Sequence, residues 1–286
     1  MQKNLMIQSK RIVAGVLRFM LCAAWLAISP SNAWADETPV FKVGVVPQFD
    51  SRTIFDIWTP ILAQLQATTG RRFQLVGSPN IPDFEKKVAQ EEFDFVYLNP
   101  YQALVASSNY IPLVRDVATP LEGIIVVHKD SPIHDLGELQ GKTMDFPAPN
   151  ALAASLMTRA QLDQAGVKVQ VRYVKTHTTV YLNVALGQTD AGGGVLQTLE
   201  DQPAAVRKQL KVIYKTIGVA SHPVLASKRL SPALREQVRS ALIAMGESSD
   251  GRAMLLRVPF DRVGRAVAED YVTLKRMGLE KYYVPN

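Results

Sequence analysis

The chain reads as an α/β protein of two lobes, each a mixed, mostly parallel sheet flanked by helices. Three observations predict this. Short apolar runs alternate with helical segments. That alternation occurs twice in succession along the chain. The last part then returns to helix, as it must if the second lobe is inserted within the first. Without its first 35 residues the chain keeps 251, enough for two lobes of roughly 100 to 150 residues each.

The elements follow in order. Residues 41–46 form an apolar, β-rich run ended by Pro47. Residues 54–68 carry apolar side chains at helical spacing (Ile54, Ile57, Trp58, Ile61, Leu62, Leu65) and stop at Gly70, where a left-handed cap suits glycine. Residues 72–76 are a strand, 82–89 a short helix, and 93–98 a third strand. Residues 100–107 are a helix with proline at its first position. Residues 111–114 and 123–128 are further strands, and 136–141 a helical turn. The unit then repeats: strand 143–146, helix 151–165 ended by Gly166, strand 169–174, a helix from His177, strand 190–195, a helix to about Gln209, and strand 211–214. Residues 219–226 read as a strand, and 232–245 and 263–277 as helices. Crossings between lobes are expected near His128 and near Ile217. Residues 36–127 and 218–286 then form lobe 1 and residues 128–217 the inserted lobe 2. Lobes joined in this way close on a ligand by hinge motion.

The first 35 residues carry targeting information and stand apart from the fold. Lys3, Lys10, Arg11 and Arg18 precede an apolar stretch over residues 19–28, and Ala33-Trp34-Ala35 has the small-x-small form of a cleavage site before Asp36. The apolar stretch is shorter than the about 20 residues a membrane span needs. Cys22 is preceded by bulky Met20 and Leu21, which argues against a lipid anchor there. The expectation is export to the periplasm with cleavage near Ala35. The leader holds four basic and no acidic residues, so its removal lowers the net charge from +6 to +2. The overall basicity is therefore partly the leader's own, and nucleic acid is excluded as a partner. Cys22 is the sole cysteine, so the mature chain has no disulfide, thiolate metal site or cysteine nucleophile.

Several side chains are placed where a ligand would sit. In α/β sheets ligands bind beyond the carboxyl ends of strands. Tyr97, Gln48 and Phe49 lie at such ends, and Tyr101 lies one helical step further. Asn150 precedes the helix from Ala151 and is expected to cap it and to face the same cleft. The stretch from His177 to Gly194 places a polar group at a helix start opposite a glycine-rich strand end, where backbone or ligand approaches closely. Asp190 is a candidate contact, although Thr-Asp-Ala-Gly also marks a turn into a buried strand. His128 and His134 are given no role. There is no lysine-bearing glycine loop, nucleophile elbow or helical His-x-x-x-His pair, so no cofactor, metal or catalytic residue is expected. An acid/base pair of His177 and Asp190 would still lack a nucleophile or metal.

Four stretches carry a family resemblance: Phe41-Lys-Val-Gly-Val-Val-Pro47, Phe93-Asp-Phe-Val-Tyr97-Leu-Asn-Pro100-Tyr101, Gly141-Lys142-Thr-Met-Asp-Phe146-Pro-Ala-Pro149-Asn150, and His177 to Gly194. In this order and spacing they resemble the periplasmic phosphate/phosphite/phosphonate-binding proteins that serve ABC importers. The resemblance covers essentially the whole mature chain. It implies a two-lobed periplasmic-binding-protein fold of type II, a small ligand that is an oxyanion, and an ABC permease as partner. It also implies ligand contacts at Tyr97, His177 and His222, and at the amides around Ala151 and Leu152. The chain is expected to act as a monomer.

Two departures alter the expected pocket. Phosphonate binders carry a serine-threonine-serine-glycine run at this helix start, whose hydroxyls and amides hold the phosphonate oxygens. Here the residues are Ala151, Leu152, Ala153 and Ala154. Each lost bond to a charged group removes about 1.5–3 kcal/mol, more than the roughly 0.3–1 kcal/mol that an exposed helix dipole supplies. Tight methylphosphonate binding in the family's manner is therefore not expected. Family members also place an acidic residue near Ser221-His222-Pro223 to meet a ligand amine, and Gln197 stands where another can be acidic. Importer service is the first expectation, and presentation of bound ligand to a membrane sensor kinase is the alternative.

Overall fold

The protein is described by a computed structural model over residues 39–285. The basic leader, Cys22 and the expected cleavage at Ala35 lie outside the described residues. Two mixed sheets carry the fold. The first is six-stranded, in the order β11-β4-β10-β3-β1-β2. Its strands are β1 (Val40–Val45), β2 (Arg72–Val76), β3 (Phe95–Tyr97), β4 (Tyr110–Asp116), β10 (Pro223–Ser227) and β11 (Val263–Arg265). The second is five-stranded, β7-β6-β8-β5-β9. It contains β5 (Gly123–His128), β6 (Thr143–Phe146), β7 (Gln170–Tyr173), β8 (Ala191–Val195) and β9 (Leu210–Lys215).

In each sheet the strands linked through helices pair in parallel, β1 with β2 and β3, and β6 with β7 and β8. The strands that carry the chain between sheets pair antiparallel: β10 with β3 and β4, and β5 with β8 and β9. The β5 run shows why its sheet is covered on both faces. Ile124 and Val126 pack with Tyr181 and Val184, whereas Ile125 and Val127 pack with Leu162 and Val167. All four β5 residues are fully buried, the two-residue alternation serving two helical layers.

Helix α1 (Ser51–Thr69) is dictated locally at both ends. Asp50 caps it by accepting from the Thr53 amide at 3.0 Å, and Gly70 closes it at φ 66°. Its buried stripe is the one the spacing predicts: Ile54, Ile57, Trp58, Ile61, Leu62 and Leu65. Helices α2 (Ile81–Ala89) and α3 (Pro100–Val105) are capped by Asn80 and Asn99. In the second lobe a π-helical stretch, Leu152–Met157, runs into α4 (Thr158–Gln164), and α5 (His177–Ala185) follows. Helix α8 (Pro232–Glu247), reached after the two short helices described next, packs on α1.

Several segments differ from the sequence reading. The helix expected to reach Gln209 is two short ones, α6 (Leu196–Glu200) and α7 (Ala204–Arg207), because Pro203 interrupts it. Residues 263–277, expected as a helix, are strand β11 followed by a 3-10 helix, Ala268–Arg276. Helix α9 (Ser249–Leu256), capped by Ser248, was not anticipated. The first crossing also falls earlier than His128. The chain leaves the first sheet after Asp116 and joins the second at Gly123. The four fully buried residues of β5 suit the middle of a sheet and not a solvated connection. The outgoing segment, 117–122, meets the returning one, 216–222, where Leu121 and Val219 exchange backbone hydrogen bonds of 2.8 and 3.0 Å.

Candidate ligand-binding cleft

Between the two sheets lies a narrow cavity of about 10 Å³. The first sheet's side contributes Val46, Gln48, Ile81, Asn99 and His222 to it. The second contributes Ala151 to Ala154, His177 and Val195. A wider cavity of about 330 Å³ adjoins it and shares Gln48, Val195 and His222. Tyr97, Phe49 and Phe260 form aromatic wall there, and Glu122, Glu200, Asp201 and Asp261 are among its carboxylates. Among the described residues, no lysine or arginine lines either cavity.

The glycine strand positions the floor. A Cβ on Gly193 of β8 would run into the Ala154 carbonyl and the Phe146 ring, and one on Gly123 of β5 into the Ala153 carbonyl. Glycine at these two places lets the first turns of the Leu152–Met157 stretch lie directly on the sheet. The close approach expected from the glycine run is thus made by backbone. The stretch begins with the Ser155 and Leu156 amides both donating to the Ala151 carbonyl, at 2.8 and 3.1 Å. The N–H groups of residues 152–154 have no acceptor within the helix, and these residues line the narrow cavity.

Two histidines face this floor. His177, 2 % exposed, is brought in because Thr176 caps α5 by accepting from the Thr179 amide at 3.1 Å. Its Nδ1 lies 3.3 Å from the Thr198 hydroxyl, which also bonds the Val195 carbonyl at 2.9 Å. His222 lies just before β10 and is held by Gln48, whose Nε2 donates to its Nε2 at 3.3 Å. The proton of that neutral ring then sits on Nδ1. Burial lowers the His177 pKa to about 4. Burial, with His177 adding to it, lowers that of His222 to about 3. Both imidazoles are therefore neutral near neutral pH.

Tyr97 meets the cleft with its ring. Its hydroxyl donates to the Val258 carbonyl at 2.9 Å, and its ring stacks on His222 at 5.5 Å between centroids. Desolvation raises its pKa. Gln197 lines the wider cavity, Gln48 both, and Ala151 and Leu152 the narrow one.

Three expected contacts lie elsewhere. Tyr101 lines neither cavity and packs on Tyr283, 5.3 Å between centroids. Asn150 does not cap the helix, because its side chain is occupied by the Val284 backbone, with Nδ2 donating to the carbonyl and Oδ1 accepting from the amide, both at 2.8 Å. Asp190 accepts from the Thr143 amide at 2.8 Å and serves the turn into β8, and it is not among the residues that line the narrow cavity with His177. The sequence reading missed Asn99, Val46 and Ile81. Asn99 had a usable signal, a capping residue directly after a strand end. Its Oδ1 accepts from the Gln102 amide at 2.9 Å, while its Nδ2 donates to the Asn150 carbonyl at 3.2 Å.

A family model described as "ABC transporter, phosphonate, periplasmic substrate-binding protein" matches residues 43–271. The chain belongs to this family. As a phosphonate-family binding protein it is the periplasmic solute-binding component of an ABC transporter, with a small-molecule ligand and a permease as partners; the family is one of binding proteins and not of enzymes. The chain is 20% identical over 267 residues to the phosphonates-binding periplasmic protein of Escherichia coli K12, covering 87% of this chain and 78% of that one. Among solved structures it is similar to a binding protein component of an ABC phosphonate transporter from Pseudomonas aeruginosa. That match has TM-score 0.77 and 19% identity, over 86% of this chain and 87% of the other. A Prochlorococcus marinus protein solved in complex with methylphosphonate matches with TM-score 0.77 and 17% identity, over 86% and 99%. These likenesses support the two-lobed periplasmic-binding-protein fold.

Proposed function

We propose that the chain captures a small phosphonate-type oxyanion between its lobes and delivers it to the importer's permease. One juxtaposition carries this reading: the amide-bearing helix start at residues 151–154 meets His177 and His222 in a single interlobe cavity. Free helix N–H groups and neutral imidazole N–H groups are donors suited to anionic oxygens. The wider cavity beside Tyr97 and Gln197 accommodates a substituent of the ligand. The lobes comprise residues 39–116 with 223–285, and residues 123–215. They rotate about the paired segments 117–122 and 216–222. We assign the chain no catalytic step and read it as a monomer. Its first 35 residues act as an export leader cleaved near Ala35, which the mass of the exported protein checks.

The missing hydroxyls set the strength. A site with backbone amides alone gives up on the order of 4 kcal/mol or more relative to one carrying all three hydroxyls. Methylphosphonate is therefore expected to bind weakly. A thermal-shift panel of methylphosphonate, phosphite, phosphate and sulfate tests the reading. A bound ligand at a hundredfold excess over its Kd adds about 2.7 kcal/mol to apparent stability. At least one panel member is expected to raise the melting temperature at millimolar concentration, with His222→Ala abolishing the rise. A flat response to the whole panel would remove the oxyanion reading.

A further inference from the structure

The end of the chain makes a second set of contacts between the lobes, next to the cleft. The 3-10 helix Ala268–Arg276 belongs with the first sheet. Asp270 pairs with Arg115 of β4 through two bonds of 3.0 Å, and the Tyr271 hydroxyl reaches the Ser221 carbonyl at 3.4 Å. Residues 279–285 then pass to the other lobe. The Tyr282 hydroxyl and Lys281 Nζ both donate to Asp163 Oδ2 of α4, at 2.5 and 2.6 Å. The Val284 backbone takes the paired bonds from Asn150. Between these two contacts Tyr283 turns back and packs on Tyr101 of the first lobe. Leu279 and Tyr282 are buried with Leu156, Met157 and Ala160 of the second.

Asn150 is where these contacts converge, and it directly precedes the residues that line the narrow cavity. Besides the Val284 bonds, its Nδ2 donates to Glu85 of α2 at 2.8 Å, and its carbonyl accepts from Asn99. Both partners belong to the opposite lobe, and Asn99 itself lines the cavity. From this geometry we infer that residues 279–285 are a clasp that biases the lobes toward the closed arrangement, with Asn150 as the positioning residue that transmits the clasp to the ligand-gripping helix start. The inference rests on the reading above that the lobes open and close around a ligand. Contacts made only when the lobes meet favour the closed state, and the apparent affinity scales with the fraction of molecules in that state.

The test reads lobe separation directly. The mature chain has no cysteine, so Gln64→Cys on α1 and Lys208→Cys beside α7 give one dye site in each lobe. In the full mature protein, with no solute added, a chain ending at Gly278 is expected to lose the short-distance population in energy transfer. Asn150→Ala is expected to do the same in part. Methylphosphonate binding, or that of whichever panel oxyanion binds, should weaken on the order of tenfold. Should the truncated chain fail to fold, the double variant Lys281→Ala with Tyr282→Phe removes only the Asp163 contacts and reads the same distance. Unchanged separation in the folded variants, well below their melting temperatures, would overturn the clasp and leave the tail as packing alone. Because the distance measurement needs no ligand, it decides the clasp even if every panel oxyanion fails to bind.

Discussion

His177 and His222 each carry a pH signature. Their folded pKa values, about 4 and about 3, lie below the 6.5 expected of the unfolded chain. The unfolded state therefore binds protons first as pH falls. Stability conferred by keeping these rings neutral is complete above about pH 6.5 and drains away toward pH 4 and below. The melting temperature is expected to fall over this range, and a His177→Gln, His222→Gln protein should show a shallower fall when both are followed by calorimetry. Equal slopes would mean that the rings are solvated. At this scale strand ends and helix starts pointed to His177, Gln48 and Tyr97, and the family resemblance pointed to His222. It misplaced Asn150 because the partner that occupies its side chain, Val284, is 134 positions away, beyond anything local spacing can register. Tyr101 was misplaced for the same reason, its partner being Tyr283.

Among the elements, the glycine strand and the π-helical stretch act as one unit. Gly193→Ala would press a methyl group against the Ala154 carbonyl and the Phe146 ring. Overpacking of this kind typically costs about 1–3 kcal/mol, and here it would also lift the helix start away from the cavity. The expected outcome is a lower denaturant midpoint together with weaker oxyanion binding, measured by calorimetric titration. A loss of stability with unaltered affinity would show that the helix start re-seats. Elements with strong local signals were legible: α1 through its buried stripe and Gly70, α3 through Pro100, and β5 through four successive apolar residues. The misread elements had weak or conflicting signals. Residues 263–277 mix apolar and charged positions, and only pairing with β4 makes β11 a strand. The helix start at Ser249 follows α8 with one intervening residue, so its cap was hidden inside an apparently continuous polar stretch.

For the molecule as a whole, two lobes on paired connecting segments were foreseeable from the doubled α/β pattern, and the position of the first connection was not. A strand that carries the chain across and one that lies deep in a sheet are both short apolar runs. Only hydrogen-bond partners distinguish them, and β5 has partners on both sides.

The carboxylates of Glu122, Glu200, Asp201 and Asp261 line the wider cavity, which adjoins the narrow one that holds the inner donors. Like charges at an entrance lower the local concentration of multiply charged anions and leave singly charged or zwitterionic ones less affected. On the proposed function, these carboxylates are expected to disfavour a doubly charged ligand, and titrations at rising salt would show its binding strengthen relative to that of a singly charged one. Because such repulsion is screened beyond about 8–10 Å at physiological ionic strength, the expected difference between ligand charges is largest in dilute buffer.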